Sequence, residues 1–395
     1  MADNKDKKVL NVPALRFPEF TGEWKEERLD EIAELSKGVG ISKEQLSEDG
    51  EPCILYGELY TKYKSEIIHK VISKTNIESS NLKHSKRNDV IIPCSGETAI
   101  DIAVARCVPF DNILLGGDLN IIRLHKDDGA FMAYQLNGKR KIDIAKLAQG
   151  VSVVHLYGDN IKAIKTYNPC LQEQQKIVKL LSMLDERMEL QNKIIEDLKK
   201  LKSAIVDKLY SSAKGETYSF RQLFEVVNEK NKKLASSNVL SASQELGMIE
   251  RSDINIDIKF EQDSISGYKI VRKGDYVVHL RSFQGGFAFS DRTGICSPAY
   301  TILRPNDLVA YGYLSYFFTS KPFIKSLKLV TYGIRDGRSI NVDEWLDMTV
   351  TLPTKYEQSH IIAIINVIDS KLSNETMIQS DLLRQRTYLL NTMFI

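Results

Sequence analysis

Apolar residues return every three or four positions along residues 171–209. Ile177, Leu184, Leu198 and Ile205 fall on a seven-residue step that Gln191 interrupts. A companion stripe runs through Leu180, Leu181, Met188, Ile194, Ile195, Leu201 and Leu209. This pattern predicts one long helix with a heptad seam, begun after Pro169 and left before Gly215. The pattern recurs downstream, with Ile361, Ile368, Leu382 and Leu389 on the step and Glu375 at its break. Each helix would run about 40 residues, roughly 60 Å. Alone, either stripe would expose a long apolar face to water, whereas together they can pack as a two-helix coiled coil. Two long core helices of one globular fold are the alternative. The polar breaks at matching places predict a shared register device, held at some cost in stability.

The two helices belong to a longer repeat. "NPCLQEQQKIVKLLSMLD" begins at Asn168 and "LPTKYEQSHIIAIINVID" at Leu352, a shift of 184 residues. At that shift Pro169 meets Pro353, Glu173 meets Glu357, Gln174 meets Gln358, Ile177 meets Ile361 and Asp185 meets Asp369. The period is too long for a stacking solenoid unit and implies a chain of two similar halves.

Between the helices the texture changes to short β-rich runs, "NDVIIPC", "LNIIRLH", "GDYVVHL" and "AYTILRP", separated by turn residues. The halves keep a common order: "ERLDEIAEL" answers "RQLFEVVNE", "RNDVIIPCSG" answers "RKGDYVVHLRSF", and "FMAYQL" answers "YLSYFF". Identities are few here, as expected of equal scaffolds whose inserts recognise different things. Both inserts carry basic, polar and aromatic residues in predicted loops. The first has Tyr60, Lys62, Tyr63 and Lys64, then Lys86 and Arg87, then Lys139, Arg140 and Lys141. The second has Lys230, Lys232 and Lys233, then Arg281 and Gln284, then Arg335 and Arg338. Lys and Arg neutralise phosphates, while Arg and Gln can form paired hydrogen bonds with base edges. For any one of them, a solvated surface charge is the competing explanation.

Composition narrows the chemistry. The chain has 395 residues, 43% hydrophobic and 27% charged, enough for two or more domains. Its net charge is only +2, so nucleic-acid binding would have to use local basic patches. Five scattered cysteines, none at metal-ligand spacing, fit reduced thiols in a cytosolic protein better than a zinc site or a disulfide framework. "MADNKDKK" lacks the apolar core of a signal peptide, and no apolar run reaches membrane-spanning length. A soluble intracellular protein without a membrane partner is expected. No phosphate-binding P-loop, dinucleotide fingerprint or paired histidine ligands occur. "NPC" at Asn168 lacks the second proline and aromatic residue of the adenine methyltransferase motif, and a helix start explains it better. "CSGE" at Cys94 has no base to pair with. No catalytic, cofactor-binding or metal residue is therefore nominated in this chain.

Together, the opening "VPALRFPEFTGEWKEERLDEIAEL", the two Pro-x-x-x-Glu-Gln-x-x-Ile-led helices and the closing "LLNTMFI" resemble the specificity (S) subunit of type I restriction–modification systems. The resemblance covers nearly the whole chain. It implies an α+β fold: two α/β target-recognition domains joined by two long antiparallel coiled-coil helices, with a pseudo-twofold internal repeat. The expected divisions are a mobile segment 1–16, recognition domain 17–168, spacer helix 169–215, recognition domain 216–352 and spacer helix 353–395. Each domain would read one half of a bipartite, asymmetric site in double-stranded DNA. The helices would fix the spacer and dock two methyltransferase subunits, with restriction/motor subunits joining later. S-adenosylmethionine, ATP and Mg2+ would belong to those partners, and this cytoplasmic, prokaryotic chain would catalyse nothing. The rivals are a fused restriction–methylation enzyme, against which the missing cofactor loop argues, and a coiled-coil scaffold that binds only protein.

Overall fold

The computed structural model describes residues 10–232, 234, 236–243, 246–251, 262–279, 286–332 and 339–395. The chain divides into two compact units, Met1–Asn192 with Met377–Ile395, and Lys193–Thr376. That division cuts through both long helices, a central one at Leu171–Ser211 and a terminal one at Lys355–Thr392. Each starts two residues after its proline, so the pyrrolidine ring stands ahead of the first turn, where no backbone donor is lost.

In the first unit, strands β1 (Lys25–Arg28), β2 (Ala33–Lys37), β3 (Asp89–Pro93), β4 (Arg106–Val108), β5 (Leu119–Leu124) and β6 (Lys165–Asn168) frame the domain. Four of them form an antiparallel sheet in the order β2-β5-β3-β4. β1 and β6 form a separate antiparallel ribbon, Lys25 opposite Asn168, that leads into the central helix. The inner strand β3 is "DVIIP", buried at every position, so its β-branched residues pack on both faces. A second sheet of five short strands lies in this unit, in the order Leu46–Ser47, Ser73–Thr75, Glu51–Ile54, Leu114–Leu115, Lys83–His84.

The helix Gly129–Asn137 is capped by Asp128, whose Oδ1 accepts from the Phe131 N–H at 2.9 Å. It is buried nearly all round because it serves two cores. Met132 and Leu136 join Val90, Ile92 and Ile122 of the sheet. Phe131 and Tyr134 join Ile177, Leu181, Leu382, Leu389 and Met393 of the long helices.

The second unit repeats the plan with β7 (Glu216–Ser219), β8 (Phe224–Val227), β9 (Tyr276–Val278), β10 (Phe287–Phe289), β11 (Thr301–Pro305) and β12 (Thr349–Leu352). Its antiparallel sheet runs β8-β11-β9-β10, strand for strand the order of the first. The β7–β12 ribbon, Glu216 opposite Leu352, leads into the terminal helix. The core here is aromatic: Phe220 stacks on Trp345 at 4.4 Å between centroids, with Phe224, Tyr276, Phe287 and Phe318 around them. Tyr210 from the end of the central helix and Ile361 from the start of the terminal helix pack against it. All four β-rich runs of the sequence are strands.

Candidate nucleic-acid interface and its mounting

The seam of each long helix alternates steps of four and three. In the central helix positions 177, 181, 184, 188, 191, 195, 198, 202, 205 and 209 are buried or half-buried. In the terminal helix the same holds at 361, 365, 368, 372, 375, 379, 382, 386, 389 and 393, each 184 residues on. Three residues of the predicted companion stripe fall outside this seam: Leu180, Ile194 and Leu201 are 37%, 37% and 51% exposed. Each precedes a seam residue by one position, which turns it about 100° away. Met183 lies on the same flank, and Ile364, Val367 and Ile378 are exposed at the equivalent positions of the terminal helix. Within the first unit the start of the central helix packs with the end of the terminal helix. Within the second the opposite ends meet, so the pair is antiparallel.

Polar joints mount each domain on the helices, and they repeat. The Asp185 carboxylate accepts from the Tyr134 hydroxyl at 2.7 Å and from Arg386 Nε at 2.6 Å. Arg386 also donates to Glu66. In the other unit Asp369 accepts from the Tyr316 hydroxyl at 2.8 Å and pairs with Lys202, the residue equivalent to Arg386. Burial works against the charge of Arg386, but Glu66 and Asp185 outweigh it and hold the guanidinium protonated. Burial first, and then the neighbouring carboxylate, raise the pKa of both tyrosines, so they stay hydroxyl donors.

A glutamine in the first turn of each helix makes the second joint. Gln174 donates to Pro169 O at 3.0 Å and Asp127 Oδ1 at 2.7 Å, and accepts from Asp128 N at 2.8 Å. Gln358 donates to Pro353 O at 2.8 Å and Leu308 O at 2.9 Å, and accepts from Ala310 N at 2.7 Å. The third repeat lies inside the sheets. Arg123 grips buried Asp89 through Nε at 2.8 Å and Nη2 at 2.7 Å, and Arg304 grips buried Asp275 at 2.9 and 3.0 Å. Both arginines are raised above their ordinary pKa, chiefly by these hydrogen bonds. Both aspartates also accept a turn N–H, from Lys86 at 2.7 Å and Arg272 at 2.8 Å. Sequence reasoning matched Gln174 and Asp185 with their repeats but assigned them no role. The Asp–Arg pairs were visible only as the common letters of "RNDVII…IIRL" and "KGDYVV…TILRP".

The basic residues nominated from sequence occupy separate turns. Tyr60 is half-buried on the short helix Glu58–Thr61, and burial raises its pKa. Lys62 follows it, exposed, with Nζ on buried Glu58 Oε1 at 2.6 Å and Ser73 Oγ at 3.1 Å. Lys64 is exposed beyond them. Lys86 and Arg87 are exposed at the turn before β3, where Asn88 takes a positive φ of 79°. Lys139 is exposed after the helix Gly129–Asn137. Arg140 is half-buried: it donates to Ile395 O at 2.6 Å, pairs with Asp143 and lies over the Tyr167 ring at 5.3 Å. Lys232 is exposed in the second unit. Lys233, Arg281, Gln284, Arg335 and Arg338 lie outside the described residues. Among the described residues no group of three or more His, Cys, Asp or Glu side chains could hold a metal ion, and no helix is long and apolar enough to cross a membrane. The four buried cysteines have thiols raised by burial, Cys53 and Cys94 to about 11, Cys107 and Cys296 to about 12. They are inert as nucleophiles.

A family model for the type I restriction modification DNA specificity domain matches residues 21–200. The chain is 26% identical over 220 residues to the type I restriction enzyme MjaVIII specificity subunit of Methanocaldococcus jannaschii, covering 55% of this chain and 48% of that one. It is 33% identical over 116 residues to the putative type I restriction enzyme specificity subunit S.HindORF215P of Haemophilus influenzae, covering 29% of this chain and 28% of that one. The matches thus span half or less of those relatives' own lengths. In fold, the chain resembles the type I restriction–modification S subunit from M. genitalium, with a TM-score of 0.59 at 16% identity over 97% of this chain and 99% of that one.

Proposed function

We propose that this chain is a type I restriction–modification specificity subunit, which selects the DNA address of such a complex and performs no chemistry itself. The recognition domains are 17–168 and 216–352, and each reads one half of a bipartite, asymmetric site. The segments 169–215 and 353–395, which carry the two long helices, set the spacer between half-sites. The observation that carries this reading is the repetition of one sheet order and three sets of polar contacts beneath loops whose sequences do not repeat. A repeated mount with divergent faces suits two readers of different sequences.

Phosphate and base contacts on this reading come from Tyr60, Lys62, Lys64, Lys86, Arg87, Lys139, Arg140 and Lys232, with Arg281, Gln284, Arg335 and Arg338 in the second domain. Glu58 positions Lys62, and the Ile395 carbonyl positions Arg140. The flank of Leu180, Met183 and Ile194, duplicated as Ile364, Val367 and Ile378, supports docking of two copies of one partner, the methyltransferase subunit. S-adenosylmethionine, ATP and Mg2+ then belong to the methyltransferase and motor subunits. Exchanging residues 216–352 for those of a relative should replace one half of the methylated sequence and leave the other half unchanged, read by sequencing the methylome of cells carrying the complex. A change in both halves, or in neither, excludes two independent readers. A chain that retains no DNA with its methyltransferase partner is instead a protein-binding scaffold.

A further inference from the structure

The two helix starts are not finished alike. In the first unit Glu173 is buried under the N-terminal segment: Arg16 donates to Oε1 and Oε2 of Glu173 at 2.7 Å each, and Trp24 Nε1 to Oε1 at 3.3 Å. The next residue, Phe17, lies under the Lys176 ammonium at 4.6 Å from its ring centroid and packs on the core of Ile177 and Met393. Glu19 pairs with Lys176, and Leu15 N donates to Thr392 O at 2.9 Å.

In the second unit the equivalent ground is an open cleft of about 380 Å³. Its walls include Glu357, His360, Ile361 and Leu209, the repeats of Glu173, Lys176, Ile177 and Met393, with Tyr356 beside them. Among the described residues no counterpart of residues 10–24 covers it, because the chain passes from the helix end at Ser211 to β7 at Glu216 within a few residues. Glu357 is exposed. Its Oε2 accepts from Thr354 N at 3.0 Å and Thr354 Oγ1 at 2.7 Å, while Oε1 makes no hydrogen bond among the described residues.

We propose that this cleft is a docking site for a partner segment that carries an arginine followed by an aromatic residue, the pair that Arg16 and Phe17 supply in the first unit. Charge and shape both favour that occupant. The guanidinium would donate to the free Oε1 of the Glu357 carboxylate, leaving the Thr354 cap on Oε2, and the ring would lie on Ile361 and Leu209 beside the His360 imidazole. The site does not depend on DNA reading and stands or falls separately from it.

The test is fluorescence anisotropy of a labelled peptide, VPALRFPEFTG (residues 12–22 of this chain), titrated with the full chain. Saturable one-to-one binding is expected, weakened at least about tenfold by Glu357→Gln, as for loss of one charge-assisted contact. This substitution keeps the Thr354 cap, since glutamine serves at that position of a capping box. A peptide with its arginine changed to alanine should lose affinity similarly and leaves the folding of the chain out of the question. Absence of saturable binding overturns the proposal, as does binding that Glu357→Gln leaves untouched. Binding lost with Glu173→Gln and kept with Glu357→Gln would mean exchange with the chain's own N-terminal segment, which also overturns it.

Discussion

Set side by side, the sheet of β2-β5-β3-β4 and the sheet of β8-β11-β9-β10 share their strand order and almost none of their core. One packs Val90, Ile92, Ile122 and Met132, the other Phe224, Tyr276, Phe287 and Phe318. What does repeat is polar: Asp89–Arg123 and Asp275–Arg304, Gln174 and Gln358, Asp185–Tyr134 and Asp369–Tyr316. The difference has a physical origin. A core keeps its fold when total volume and patterning are kept, so its residues drift. A buried carboxylate or amide needs partners at fixed distance and angle, so the pair survives or the site fails.

The largest test of this contrast is at the sheet pairs. Asp89→Ala and Asp275→Ala should each destabilise the chain by about 3 kcal/mol, because each strands a partly buried arginine. Urea unfolding of the full chain measures both. A marked loss at one pair and none at the other would show that the repeat is one of shape and not of energy. Gln174→Leu and Gln358→Leu come next, at about 2 kcal/mol each, since each leaves backbone groups at the joint without a partner. Here the two α/β domains should keep their folds while their attachment loosens, seen as faster amide exchange at Asp128 or Ala310 with the sheets still protected. Equal exchange throughout would break the assignment of these residues as mounts.

The smallest effect sharpens a difference between the halves. His279 is half-buried immediately after the Val277–Val278 core and has its pKa lowered by burial. Its Nε2 makes no hydrogen bond among the described residues. The unfolded chain therefore takes up this proton more readily, so stability present above the ordinary histidine range is lost as pH falls below about 6.5. At the matching distance beyond Asp89 stands Pro93, which cannot titrate. Melting curves between pH 7 and 5 should show the acid-side loss in the chain and a flatter profile in His279→Phe. An unchanged profile would remove His279 from the account.

The helices were the most legible part of the sequence because a seven-residue step is a one-dimensional signal. The error of one position at Leu180, Ile194 and Leu201 arose because leucine and isoleucine look alike on either side of a seam; the alternation of four and three steps distinguishes them. The joints were half legible. Gln174 and Gln358 stood out by repetition, but their partners, Asp127 and Asp128 against Leu308 and Ala310, share no letters and lie about fifty residues upstream. The basic loops were legible only as composition. Lys64 and Lys86 are exposed as nominated, whereas Arg140 shows what sequence could not give, a guanidinium already engaged by the carbonyl of Ile395.

Most atoms that Gln174 and Gln358 hold are main-chain: the carbonyls of Pro169, Pro353 and Leu308 and the N–H groups of Asp128 and Ala310. A socket that grips the peptide backbone is blind to which side chains the plugged-in domain carries. A different domain joined at the proline before either helix would therefore meet the same fitting, provided its own backbone offers the carbonyl and N–H that the glutamine holds.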